Sequence, residues 1–165
     1  MSLNKKLYAK LTTVEGIKHQ LAVAGFLNKK IVFTNGVFDI LHTGHVDYLS
    51  KARDLGDILV LGLNTDASVK RLNKGPERPI NNEVSRATVL GALECVDYII
   101  LFEQDTPYEL IKAIQPDILV KGSDYKAEAI VGYDIVKAKG GEVITIDLSQ
   151  GFSTTNIIKK ISEGK

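Results

Sequence analysis

The chain has 165 residues, of which 44% are hydrophobic and 25% charged, with a net charge of +1. These values are typical of a soluble globular protein with one sizeable core, and the balanced charge argues against a nucleic-acid-binding surface. No apolar run approaches the ~18 residues of a membrane span, and a single cysteine, Cys95, excludes an internal disulfide. We therefore expect a cytoplasmic, single-domain protein with no nucleic-acid or membrane partner.

Helices and strands are predicted to alternate after a basic, polar segment over residues 1–11, which is either a loose tail or a short lead-in. A capping-box spacing at 12–15 starts an amphipathic helix that ends near Gly25. Five strands are predicted, at 31–33, 58–63, 98–102, 118–121 and 142–146. Because these runs are apolar on both sides, they predict a parallel sheet that helices cover on both faces.

The junction between the first strand and the next helix has the composition of a phosphate site. Asn35 and Gly36 end the strand, and a helical pattern follows. A helix N-terminus attracts anions through its free N–H groups, and Gly44 would let a ligand approach the backbone. His42 and His45 are three residues apart, so both could reach one phosphate group.

Two other interpretations of the histidines stay open at this point. One is a helix-capping histidine with a buried partner. The other is a metal pair, in which zinc would need a third ligand such as Asp39. We assign no residue to a metal.

Three further features have the character of anion sites. Arg86 falls near the first turn of a helix capped by Asn82, where a cation is unfavourable unless an anion lies nearby. Lys121 ends a strand where open α/β sheets bind ligands. The hydroxyls of Ser153–Thr155 exceed what capping needs and suit a second phosphate cradle. The irregular basic loop 74–79 is either functional or simply solvated.

The segment GVFDILHTGH, residues 36–45, resembles the GxFDxxHxGH signature of the cytidylyltransferase-like nucleotidyltransferases. The stretches LNTDASVKRL, RPINNEVSR, LGALECVDYI, LVKGSDY and GFSTTNIIKKI are similar to the adenylyltransferase domain of heptose metabolism. The resemblance implies transfer of AMP from ATP to D-glycero-β-D-manno-heptose 1-phosphate, with Mg²⁺ as cofactor, small-molecule substrates only, and a homo-oligomer. It divides the chain into a lead-in and helix, 1–28, and a nucleotidyltransferase domain, 29–165.

The same resemblance implies a three-layer, Rossmann-like α/β fold with a five-stranded parallel sheet of order 3-2-1-4-5. It implies four catalytic residues, which are His42, His45, Lys121 and Arg86. It also implies a set of nucleotide-binding residues, which are Asn35, Gly36, Phe38, Asp39, Gly44, Asn64, Asp66, Gly122, Asp124, Ser153, Thr154 and Thr155.

Two alternatives compete with this function. Glycerol-3-phosphate cytidylyltransferase, which uses CTP, shares the signature and the STT segment. It carries an arginine three residues before the glycine of that segment, where this chain has Leu148. The second alternative is a nucleotide-binding module without catalysis, which would need neither both histidines nor Lys121.

Overall fold

The computed structural model describes residues 2–72, 75, 77–123, 126–147 and 151–164. Within these ranges the helices are α1 Leu3–Lys10, α2 Val14–Phe26, α3 Thr43–Asp54, α4 Asp66–Arg71, α5 Glu83–Gly91, α6 Tyr108–Ile114, α7 Tyr133–Ala138 and α8 Thr154–Ser162, with a short 3₁₀ helix at Ala127–Ala129. The strands are β1 Leu11–Thr12, β2 Ile31–Gly36, β3 Ile58–Asn64, β4 Tyr98–Phe102, β5 Ile118–Gly122 and β6 Glu142–Ile146. No helix among the described residues is long and apolar enough to cross a lipid bilayer.

In the described part of the chain the strands form one six-stranded parallel sheet of order β1-β4-β3-β2-β5-β6. The five predicted strands have the expected relative order, but the predicted strand number is wrong. The additional strand, β1, pairs with β4 at the edge, with Leu11 opposite Ile99. Two residues are too few to show a periodicity, which is why the sequence did not indicate this strand.

The N-terminal segment contains a helix, so the structure contradicts the loose tail and leaves the interpretation as a short lead-in. Residues 3–10 form α1, and the Lys10 Nζ donates a 2.7 Å hydrogen bond to the Leu93 carbonyl just after α5. The polar composition of this segment reflects a helix whose side chains are mostly exposed, because it packs at the rim of the sheet and not in its core.

The strands distribute their side chains to two hydrophobic cores, one on each face of the sheet. On one face Val32 and Leu61 pack with side chains of α3 and α5. On the other face Phe33 and Val60 pack with α2, α6 and α7. Successive residues of a strand point to opposite faces, so strands that are buried on both sides are apolar at every position. This is the physical basis of the continuous apolar runs.

Aspartates organise the amino edge of the sheet. Asp57, Asp97 and Asp117 each precede a strand, and each accepts a 2.8 Å hydrogen bond from the backbone N–H of Lys30, Leu59 and Ile31, respectively. These bonds satisfy donors at the ends of neighbouring strands, where the ladder itself has no partner to offer. They hold the amino ends of the strands in place. His42 and His45 follow β2, beyond the opposite, carboxyl ends of the strands.

The chain reverses its direction of travel across the sheet at β2. From β2 it proceeds to β3 and β4 on one side, and then crosses to β5 and β6 on the other. In open α/β sheets the crevice outside the carboxyl ends of the strands at such a switch point is where ligands bind. The topology therefore places a candidate site beyond Gly36 and Gly122, at the ends of β2 and β5.

We predict that Asp117→Ala lowers the free energy of unfolding by about 1–3 kcal/mol, since it removes an acceptor from Ile31 N and from Lys139 Nζ at 2.7 Å. Urea denaturation would measure this. Glu15→Ala is the matched control, because its ion pair with Lys18 is 3.6 Å long and highly exposed, and its effect should stay within about 0.5 kcal/mol. Equal stability of both variants would contradict the role of Asp117.

Candidate active site

A cavity of about 700 Å³ lies at the carboxyl edge of the sheet, at the switch point. It brings together most of the residues that the sequence predicted. The predicted residues that line it are Asn35, Gly36, Phe38, Asp39, His42, Gly44, His45, Asn64, Lys121, Gly122, Ser153, Thr154 and Thr155. Arg86 and Asp66 are not among the lining residues. Asp124 and Leu148 lie outside the described residues.

His42 and His45 form a stacked pair at the start of α3. Their ring centroids are 3.8 Å apart and their planes differ by 17°. His42 occupies the N-cap position, but its side chain makes no capping hydrogen bond, so the pair does not have the arrangement of a capping histidine. Among the described residues, no three His, Cys, Asp or Glu side chains lie close enough together to hold a metal ion. Both histidines line the cavity.

Burial keeps both imidazoles neutral. It lowers the pKa of His42, and it lowers the pKa of His45 to about 4, with the neighbouring His42 adding to the effect and a backbone hydrogen bond with Ile40 opposing it. A neutral imidazole carries one N–H donor and one acceptor nitrogen. Near pH 7 the pair therefore offers directed hydrogen bonds to a ligand, and no net positive charge.

Three buried polar atoms lack a hydrogen-bond partner within the described part of the chain: Asn35 Oδ1, His42 Nδ1 and His45 Nδ1. All three belong to residues that line this cavity. A cleft of about 840 Å³ at the opposite edge, lined by residues such as Lys30 and Asp117, contains none of them. Unsatisfied buried polar groups are costly, so their concentration here indicates a surface built for a polar ligand.

The turn after β2 has an unusual backbone. Phe38 has a φ of +47°, which is unfavourable for a residue with a bulky side chain. Its ring lies 5.1 Å from the ring of His45, and a Cβ on Gly36 would approach the Phe38 ring to 2.7 Å. Glycine at position 36 is therefore needed for Phe38 to pack against the histidine pair.

Arg86 is a buried partner of this turn. Its side chain has no exposed surface, and it donates hydrogen bonds to the Val37 carbonyl at 2.7 Å, to the Asn81 carbonyl at 3.0 Å and to the Asp66 carboxylate at 2.6 Å. The anion that compensates this cation is thus Asp66 of the same chain. The structure does not bring Arg86 to the cavity, and the geometry gives it the contacts of a positioning residue.

Asp39 faces the cavity, but its carboxylate is already engaged by the segment after α4. It accepts hydrogen bonds from Arg78 Nε at 2.5 Å, from Ile80 N at 3.0 Å and from Asn81 N at 2.9 Å. Arg78 itself lines the cavity, and the sequence interpretation missed it as a site residue. The only signal was the basic character of the irregular loop in which it lies.

The carboxyl end of β5 and the start of α8 also line the cavity. Lys121 Nζ donates a 3.2 Å hydrogen bond to the Asn35 carbonyl, which links β5 to β2. Ser153 caps α8 by accepting from Asn156 N at 3.0 Å. The first hydroxyl of the STT segment is therefore a cap, as in ordinary helices.

The other two hydroxyls and a neighbouring aromatic ring have different surroundings. Thr154 Oγ1 donates to the Ile40 carbonyl at 3.4 Å, and Thr155 lines the cavity. Phe152 lies over His42, with 6.3 Å between ring centroids. A Cβ on Gly44 would come within 3.2 Å of Phe152, so Gly44 permits this close approach.

The Cytidylyltransferase-like family model matches residues 33–160. The Bifunctional protein HldE of Syntrophotalea carbinolica is 56% identical over 153 residues, which are 93% of this chain and 31% of that protein. The Bifunctional protein HldE of Campylobacter concisus is 56% identical over 94% of this chain and 32% of its own length. The chain thus spans about a third of the length of these curated relatives.

Solved structures agree with this match. The crystal structure of a lipopolysaccharide core biosynthesis protein from Thermoplasma volcanium has a TM-score of 0.60 and 34% identity, and the alignment covers 73% of this chain and 97% of that one. Pantothenate synthetase from Thermus thermophilus has a TM-score of 0.59 over 90% of this chain and 67% of its own, but at 15% identity it supports the fold alone. The chain belongs to the cytidylyltransferase-like family, and its fold is the Rossmann-like α/β fold of nucleotidyltransferases.

We predict that His45 titrates in the free protein with a pKa of about 4, because burial and His42 both disfavour its charged form. Nuclear magnetic resonance of the imidazole signals would measure it, with His45→Gln to assign the signal. Added nucleoside triphosphate should raise this pKa, since a nearby anion favours the imidazolium. A free-protein pKa near 6.5 would contradict the buried arrangement.

Proposed function

We propose that this chain transfers AMP from ATP to D-glycero-β-D-manno-heptose 1-phosphate, releasing pyrophosphate and forming ADP-heptose, a precursor of the lipopolysaccharide core. The observation that carries the nucleotidyl-transfer part is the set of unpartnered buried atoms on Asn35, His42 and His45 in one cavity. The acceptor is supported by the sequence stretches that resemble the heptose adenylyltransferase domain, and by the similarity to a lipopolysaccharide core biosynthesis protein.

The proposed reaction is a single in-line displacement. An oxygen of the sugar phosphate forms a bond to the α-phosphorus of ATP, and the bond from that phosphorus to the bridging oxygen breaks. The electron pair leaves with pyrophosphate. Because the attacking oxygen is already anionic, the reaction needs no strong general base. Catalysis then rests on positioning and on stabilising charge in the transition state.

Each residue would contribute to positioning or to charge stabilisation according to its chemistry. His42 and His45 are neutral, so each can donate a hydrogen bond to the phosphoryl oxygens without attracting the nucleophile away from its line of attack. Lys121 supplies positive charge, and the N-terminus of α8 with Thr155 offers donors to the β- and γ-phosphates. Arg86 acts indirectly, by holding the turn that carries Phe38.

Mg²⁺ is the proposed cofactor. The cavity is lined by donors such as His42 and Lys121, and no cluster of three metal ligands occurs among the described residues. These residues fit an ion that arrives bound to the triphosphate, with the phosphates held in turn by Lys121 and the start of α8. When bound, the ion supplies neutralisation of charge on the phosphate oxygens.

Pyrophosphate release tests the proposed substrates. We predict release with ATP and the heptose 1-phosphate in the presence of Mg²⁺, and none with CTP and glycerol 3-phosphate. Crossing both nucleotides with both acceptors in four reactions would measure this. Release with CTP and glycerol 3-phosphate alone would overturn the proposal and favour the cytidylyltransferase. Binding of ATP without release in any reaction would favour a non-catalytic module.

We predict that His45→Ala lowers kcat by about 100-fold, the loss expected for one hydrogen-bond donor to a developing negative charge. Steady-state kinetics would measure it, with circular dichroism to check that the fold is intact. His19→Ala is the matched control, because His19 lies exposed on α2, away from the cavity, and its kcat should not change. A near-normal kcat for His45→Ala would exclude a role in the chemical step.

A further inference from the structure

We propose that Arg78 binds the phosphate group of the acceptor, and that Asp39 is the positioning residue that aims it. This inference rests on the proposed function and names the part of the cavity that holds the second substrate. It differs from the sequence prediction, in which Asp39 belonged to the nucleotide site and Arg78 had no role.

The cavity has two ends that differ in chemistry. One end is formed by the start of α3, the end of β5 and the start of α8, and its donors suit a triphosphate. The other end lies over the ends of β3 and β4, where the lining includes Asn64, Phe102, Asp105 and Pro107, together with Arg78 from the segment between α4 and α5. The carboxylate of Asp105 is paired with Arg71. A nucleotidyl transfer to a phosphate ester must hold two anions side by side. The second end is therefore where the acceptor fits.

Positive charge is scarce in the cavity. Of the described residues that line it, Lys121 and Arg78 are the lysines and arginines. Lys121 lies at the β5 end and hydrogen-bonds Asn35, next to the histidine pair. Arg78 is thus the cation placed to neutralise an anion at the β3–β4 end.

The guanidinium of Arg78 is held in one orientation. Its side chain is only 11% exposed, and its Nε is bonded to the fully buried Asp39 carboxylate at 2.5 Å. Asp39 is itself fixed by the amides of Ile80 and Asn81. Within the described chain no residue accepts a hydrogen bond from the two terminal nitrogens of Arg78.

That arrangement matches phosphate recognition. The two terminal nitrogens of a guanidinium form a planar fork that fits two oxygens of a phosphate group. An aspartate on Nε fixes the plane of the fork and leaves its open side available. A purely structural ion pair would explain the contact with Asp39, but not why the arginine lines the cavity with terminal donors that bond to none of the described residues.

The kinetic test uses Arg78→Gln, with Arg53→Gln as the control, because Arg53 also pairs with an aspartate, Asp97, and neither of the two lines the cavity. Arg78→Gln should raise the KM for the acceptor by roughly 10- to 100-fold, the size expected for hydrogen bonds to a charged group, and leave the KM for ATP within about 3-fold. Arg78→Lys keeps the charge but loses the fork, so it should fall between wild type and Arg78→Gln.

The same variants report on the role of Asp39. Asp39→Asn keeps the size of the side chain and weakens its hold on Arg78, so it should raise the acceptor KM in the same direction as Arg78→Gln. In the double variant the two effects should be less than additive, because both act through one guanidinium. Full additivity, or an effect confined to the KM for ATP, would overturn the positioning role.

A binding experiment separates this inference from the identity of the acceptor. Isothermal titration calorimetry with inorganic phosphate would be done on protein saturated with α,β-methylene ATP, which cannot react. Wild type and Arg53→Gln should bind phosphate, Arg78→Gln should lose that binding, and all three should bind the nucleotide analogue alike. This result would support the inference even if the heptose phosphate proved inactive. Absence of phosphate binding in wild type, or weaker analogue binding in Arg78→Gln, would overturn it.

Discussion

The turn between β2 and α3 is held from both sides by buried hydrogen bonds, and the cavity depends on it. Arg86 binds the Val37 carbonyl, and the Asp39 carboxylate binds the amides of Ile80 and Asn81. Phe38, between them, adopts a left-handed backbone that costs about 1–2 kcal/mol for a residue with a side chain. Charge-assisted hydrogen bonds on either side are strong enough to offset that cost.

Much of the fold could be predicted from the sequence because its signals are local. A strand buried on both faces is apolar at every position, so β2 to β5 were visible as runs, and the order of five strands followed from the family resemblance. β1 was not visible, because two residues have no pattern and their pairing with β4 depends on contacts far apart in the chain. The aspartate that precedes each of β3, β4 and β5 was also present in the sequence, but its function requires the neighbouring strand to be in place.

The candidate site shows the same division between local and non-local information. The residues of the signature lie within ten positions of one another, so their meeting was foreseeable. The sequence suggested a bound anion beside Arg86, but the carboxylate that pairs with it is Asp66, which lies 20 residues earlier in the chain. Only the folded structure distinguishes an internal carboxylate from a bound phosphate. Likewise Arg78 reaches Asp39 across 39 residues, a distance at which sequence spacing carries no information on contact.

The distribution of charge in the cavity accounts for how one small site could serve two anions. Burial lowers the pKa of both histidines, which favours their neutral forms, while the lining cations Lys121 and Arg78 belong to β5 and to the segment between α4 and α5. A positive centre would hold the attacking phosphate at the histidines and keep it from the α-phosphorus. In the proposed reaction, neutral donors in the middle would stabilise charge only where the geometry of the transition state places it, and the two cations would hold the two substrates in line.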